Sequence, residues 1–143
     1  YPNRPVRLVV PFAPGGGTDI TARAIAMKLT EALGQTVVVD NRAGANGIIG
    51  SDAVAKAAPD GYTLMLDASS FSVNPSLYPK LPYDSLKAFQ PIGVVALFPN
   101  VVLVNANFSA KNVPELIVAA GKTKDAVSYA SSGNGSAQHL AEC

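Results

Sequence analysis

The apolar positions of this chain fall into blocks of two kinds. Val6, Leu8, Val9, Val10 and Phe12 make a nearly continuous β-branched and aliphatic run over 6–12. With no polar alternation, such a run suits a strand buried on both faces, as in a parallel sheet. It leads into Ala13-Pro14-Gly15-Gly16-Gly17, after which the spacing changes. Ala22, Ile25, Ala26, Leu29 and Leu33 recur at helical intervals, while Arg23, Lys28 and Glu31 fall on the other side. This predicts an amphipathic helix with Thr18 or Asp19 near its N-cap and Gly34 just past its end. Thr36–Val39 predicts a second buried strand, 47–58 a helix stopped by Pro59-Asp60-Gly61, and Tyr62–Leu66 a third strand. Strand, helix, strand, helix, strand is the pattern of an α/β layer with a parallel sheet and right-handed crossovers.

Beyond Ala68 the pattern loosens. Asn74-Pro75 and Tyr78-Pro79 punctuate what reads as an irregular connection. Phe89–Phe98 and Val101–Val104 are strand candidates, Pro114–Gly121 a short helix with Pro at its start, and Val127–Ala130 a further strand. That strand runs into Ser131-Ser132-Gly133-Asn134-Gly135-Ser136, where another helix begins.

Composition narrows what such a layer can do. In 143 residues there are 48% hydrophobic and 15% charged residues, which excludes intrinsic disorder. A net charge of +1 without a Lys/Arg cluster removes the electrostatic footprint of a nucleic-acid binder or a polybasic membrane contact. The apolar stretches are far shorter than the ~20 residues that span a bilayer, so no membrane insertion is expected. Cys143 alone offers neither a disulfide framework nor a metal pair. The start at Tyr1 without Met is compatible with a removed secretory signal or with a trimmed chain.

Two segments share one design: a buried strand, a Gly/Ser-rich turn, then a helix start, at Ala13–Thr18 and again at Ser131–Ser136. Free amides at a helix N-terminus carry partial positive charge, and glycine lets an anion approach the backbone closely. Both turns, with Ala68-Ser69-Ser70, would sit at strand carboxyl ends, where open α/β sheets bind ligands. The plainer reading is that the glycines only make tight turns and Asp19 only caps a helix. Neither G-x-G-x-x-G nor the P-loop pattern occurs, so no phosphate cofactor is expected. Gly133-Asn134-Gly135-Ser136-Ala137 falls one glycine short of a nucleophile elbow, and His139 follows three residues after Ser136. A Ser136–His139 acyl hydrolase is therefore the alternative to a binding protein, although no third group to orient the His is identifiable. Arg42 reads either as a carboxylate clamp or as a tie between its loop and Asp40.

Pro11–Asp19, Asn41–Gly47, Ala58–Leu64 and Tyr129–Leu140 together resemble, in order, the signatures of the Bug proteins. These are the extracytoplasmic solute receptors of tripartite tricarboxylate transporters. The resemblance implies a periplasmic binding protein of two α/β domains that closes on a small carboxylate. It would deliver that ligand to membrane permease subunits without catalysis, cofactor or metal. The implied ligand-binding residues are Phe12, Ala13, Gly16, Gly17 and Thr18 on one side and Ser132, Gly135 and Ser136 on the other. Ala68 and Ser69 would line the cleft, with Asp19 and His139 as further candidates. The resemblance also implies a first domain over 1–100, lacking a C-terminal return segment, and the beginning of a second over 101–143. Self-association through uncovered surfaces is then an expectation too.

Overall fold

The computed structural model describes residues 1–122 and 128–142, the side chain of Glu142 apart. Its centre is strand β1, Val6–Val10, of which four residues are buried. Strands β2, Val37–Asn41, and β3, Thr63–Met65, flank it in the order β2-β1-β3, both parallel to it. The register sets Val10 opposite Asn41 and Val9 opposite Met65, so all three carboxyl ends lie along one edge. The parallel sheet expected from the unbroken apolar run is therefore present, with the strand ends shifted by at most two residues.

Alternation along β1 divides the packing between two helices. Val6, Leu8 and Val10 join Ala22 and Ala26 of helix α1, Gly17–Leu33, in one buried cluster, with Leu29, Leu33, Val39 and Leu64 packed around it. Fully burying a side chain such as Val6, Leu8 or Val10 is worth about 1.5–3 kcal/mol. On the other face Pro11 meets helix α2, Ile48–Ala55, at Gly50. A Cβ there would lie 2.6 Å from Pro11 Cβ, 2.8 Å from Pro11 Cα and 3.0 Å from the Arg42 carbonyl. The close approach of α2 to the sheet thus requires glycine at position 50.

The start of α1 and the limits of α2 depart slightly from expectation. Helix α1 starts at Gly17 with Gly16 as N-cap, so Thr18 and Asp19 lie inside its first turn, not at the cap. Its end is as expected: Gly34 is left-handed (φ 66°) and its amide reaches the Thr30 carbonyl. Helix α2 follows a 3₁₀ turn at Ala45–Gly47 and ends three residues before Ala58.

Three further helices complete the described chain: α3, Ser70–Leu77, α4, Val113–Gly121, and α5, Ala137–Glu142. The irregular connection expected after Ala68 is thus partly helical, with Pro75 accommodated inside α3. Helix α4 carries an Asn112 cap whose side chain accepts from the Glu115 amide, with Pro114 in the first turn. The strands expected over 89–98 and 101–104 do not form. Phe89 packs edge-on against Phe71 and Tyr83, but from Ile92 onward the side chains stand in solvent, Leu97 at 89% and Leu103 at 87% exposure. Apolar content alone makes no strand; the backbone also needs a hydrogen-bonded neighbour. Val127 of the expected 127–130 strand lies outside the described residues, and Ser128–Ala130 are not in a strand.

Gly50→Ala should lower the thermal unfolding midpoint by several degrees, because the neighbours of its Cβ are backbone and a proline ring, and overpacking costs about 1–3 kcal/mol. Gly121→Ala, whose Cβ meets nothing within 4 Å, serves as the control and should leave the midpoint in place.

Candidate functional site

The carboxyl edge of the sheet is organised by one buried carboxylate. Asp19, 2% exposed, accepts from the Gly15 amide (2.9 Å), Arg23 Nε (3.0 Å) and Asn41 Nδ2 (2.9 Å). The same Asn41 amide donates to the Phe12 carbonyl at 3.1 Å. One side chain therefore joins the loop after β1, the first turn of α1 and the end of β2. The bond to Arg23, then those to Gly15 and Asn41, hold the Asp19 carboxyl down to about 2. Asp19 is thus a structural anion already satisfied from within. Its role is to shape the turn in which Ala13, Gly16 and Gly17 are exposed and Thr18 half-buried. As at every helix start, the first amides of α1 lack intrahelical acceptors, and the helix dipole favours negative charge there.

A second carboxylate, Asp67, lies two residues past the end of β3. Its Oδ1 accepts from the Ala68 amide at 2.7 Å and its Oδ2 lies 3.1 Å from Ser51 Oγ. A Cβ built on Gly47 would lie 3.5 Å from Pro11 Cβ and 3.6 Å from both Asp67 Oδ1 and Phe12 Cζ. Asp67 and Phe12 thus share the left-handed Gly47 turn as neighbour. Partial burial pushes the Asp67 carboxyl up to about 6, against the opposing pull of the Ala68 amide and the Ser51 hydroxyl. Ala68 and Ser69 follow directly and are exposed at the same edge.

The loop after β2 is fastened by two asparagines. Asn46 and its neighbour Ala45 are left-handed (φ 52° and 48°). Asn46 Nδ2 donates to Asn74 Oδ1 at 3.0 Å, and Asn74 Nδ2 returns a bond to the Asn46 carbonyl at 3.1 Å. Asn74 is 1% exposed. Asn46 Nδ2 also lies 3.0 Å from where a Cβ on Gly135 would sit, and that Cβ would overlap Leu77 Cδ1. The second Gly/Ser turn therefore rests on the 45–47 turn and α3. Arg42 pairs with Asp40 at 2.9 Å, the tie rather than the clamp.

Of the residues expected at the site, the fold brings Phe12, Ala13, Gly16, Gly17, Thr18, Ala68 and Ser69 to one sheet edge and seats Gly135 against that layer. Ser136 is buried, and its Oγ accepts from the His139 amide at 3.1 Å, which makes it a helix cap. His139 Nδ1 lies 3.4 Å from the Gly135 amide, and exposed Ser132 donates to Gln138 Oε1 at 2.8 Å. Sequence reasoning passed over Asp67, Ser51, Asn46 and Asn74. A carboxylate directly after the expected 62–66 strand was the one available signal for Asp67. Among the described residues no cluster of three or more His, Cys, Asp or Glu fit to hold a metal occurs, and no helix is long and apolar enough to cross a membrane.

The parallel α/β sheet with Gly/Ser loops along its carboxyl edge is the architecture of about half of each of two solved periplasmic binding proteins that the chain resembles. The structure of the periplasmic binding protein BugD matches with a TM-score of 0.80 and 42% identity over 99% of this chain and 48% of that one. Rpa4515 of R. palustris, solved with adipate, matches with a TM-score of 0.90 and 38% identity over the same shares, 99% and 48%. MatC from Rhodopseudomonas palustris, with bound malate, gives 0.61 and 41% over 66% of this chain and 33% of that one. Residues 21–142 match the TctC profile, and the chain belongs to this tripartite tricarboxylate transporter receptor family. BugT of Bordetella pertussis is 44% identical over 98% of this chain and 44% of its own. A protein from the tcbD-tcbE intergenic region of Pseudomonas sp. strain P51 is 45% identical over 99% and 42%. The chain thus spans less than half the length of these relatives. Family and neighbours are solute-binding receptors, which lends the hydrolase alternative no support.

Asp19 sets an acid limit on the fold. Its carboxyl is lowered from 3.8 to about 2, so its contribution to stability is complete above pH 3.8 and is lost as pH falls through about 2. Thermal unfolding of Asp19→Asn should lack this acid-side loss and show a lower midpoint than the parent at neutral pH.

Proposed function

We propose that this chain is the carboxylate-capturing part of an extracytoplasmic solute receptor. It would hold a small dicarboxylate, tricarboxylate or amino acid by backbone groups of the loop after β1, with Ala68 and Ser69 lining the cleft. Residues 1–100 supply the first lobe, and 101–143 begin the facing lobe, from which Ser132, Gly135 and Ser136 would approach. His139 is a further candidate from that side. After export to the periplasm, the receptor would pass its ligand to the permease subunits of a tripartite transporter. Self-association through the exposed 92–104 segment belongs to the same proposal.

The observation that carries this reading is the satisfied Asp19. With the Gly15 amide already taken and the Asp19 charge balanced by Arg23 and hydrogen-bonded by Asn41, the remaining amides of a Gly-rich helix start stand exposed at the ligand edge. An anion at such a place needs no Lys or Arg, in keeping with a chain of net charge +1. Adipate in Rpa4515 and malate in MatC point to the class of ligand.

Gly17→Asp separates binding from folding. A Cβ at Gly17 meets nothing within 4 Å, and a carboxylate in the first turn of a helix is mildly stabilising. The unfolding midpoint should therefore hold or rise slightly. Calorimetric affinity for the tightest-binding acid in a set of four- to six-carbon carboxylates should fall at least about tenfold, a like-charge cost of ~1.4 kcal/mol or more. Unchanged affinity would remove the loop after β1 from the site.

A further inference from the structure

The contact between Ser51, Asp67 and Gly47 poses a proton-counting problem. Ser51, fully buried, has its Oγ 2.9 Å from the Gly47 carbonyl and 3.1 Å from Asp67 Oδ2. A hydroxyl has one proton to donate. If Asp67 is ionised, both oxygens compete for that proton. If Asp67 carries a proton, the contacts become a consistent chain: Asp67 donates to Ser51 Oγ, and Ser51 donates to the Gly47 carbonyl. The Ala68 amide, at 2.7 Å from Asp67 Oδ1, is satisfied in either state.

Charges on the surrounding elements do not stabilise an ionised Asp67. On α2, Asp52 is paired with Lys56 at 2.7 Å; on β2, Asp40 is held by Arg42 and Arg7; on α1, Asp19 is held by Arg23. The loop after β1, the 45–47 turn and α3 contain no titratable side chain, and His139 lies on α5. Among the described residues no Lys or Arg forms an ion pair with Asp67. The upward displacement of its carboxyl agrees with this geometry.

Resting on the receptor reading above, we propose that Asp67 determines which charge state of acid the cleft accepts. Protonated, and chained through Ser51 to Gly47, it leaves the edge beside Phe12 and Ala68 free of negative charge for a diacid. Ionised, it repels the second carboxylate of such a ligand while tolerating an acid of single charge. The residue is thus a specificity determinant set apart from the amides that hold the first carboxylate.

Calorimetry on the full chain tests this with diacids of four to six carbons, each paired with its monoamide, at about pH 6, where the diacids' own second carboxyls are still mostly ionised, and at about pH 8. Because linkage is reciprocal, diacid binding near about pH 6.5 should take up a proton, read from titrations in two buffers of different ionisation enthalpy. The ratio of diacid to monoamide affinity should fall about tenfold from the acid to the alkaline condition. In Asp67→Asn that ratio should stay at its acid value in both. Proton uptake is measured on the unaltered protein, so the test survives if the variant does not fold. Diacid binding without proton uptake, and with an affinity ratio independent of pH, would overturn the role of Asp67 and leave the receptor reading standing. Failure of every acid to bind would overturn both.

Discussion

The carboxylate of Asp19 is the point on which the site depends. It lies in the first turn of α1, reaches back to the Gly15 amide and across to Asn41 at the end of β2, and is balanced by Arg23 one turn along. Remove it, and three elements that meet at the sheet edge lose their common acceptor. Glycine alone would leave the loop after β1 free to sample many conformations. Asp19 selects one, in which the helix start faces outward and the strand ends align.

Two carboxylates at one edge then follow opposite courses because their surroundings differ. Asp19 has three donors, one of them a guanidinium, and its carboxyl stays near 2. Asp67 has an amide and a hydroxyl whose proton is also directed at a carbonyl, and partial burial takes its carboxyl to about 6. Environments that push like groups apart in this way allow one to be scaffold and the other to respond to pH. In the proposed receptor, that division lets a chain of nearly neutral charge attract an anion with backbone dipoles while discriminating among anions.

Much of this was legible from residue patterns. The continuous run at 6–12 identified the central parallel strand, the helical spacing of Ala22, Ala26, Leu29 and Leu33 identified α1, and Gly34 marked its end. The four Bug-like blocks pointed to the family before any fold was in view. Other features lay out of reach because they depend on partners distant in sequence. Asn74-Pro75 reads as punctuation, yet Asn74 is buried in a reciprocal amide pair with Asn46, and Pro75 sits within α3. The apolar stretches over 89–98 and 101–104 read as strands, yet from Ile92 onward their side chains are exposed and their backbone has no ladder to join. Asp67 gave only its position at a strand end; its contact with Ser51 arises where α2 crosses β3.

The most direct test of the account is amide hydrogen exchange, measured with and without a bound four- to six-carbon carboxylate. Slowed exchange at Gly16, Gly17 and Thr18, with Ala68–Ser70 following, is the predicted result, because those amides would exchange water for the ligand. Slowing confined to α4 or to the 92–104 segment, with the loop after β1 unchanged, would contradict it.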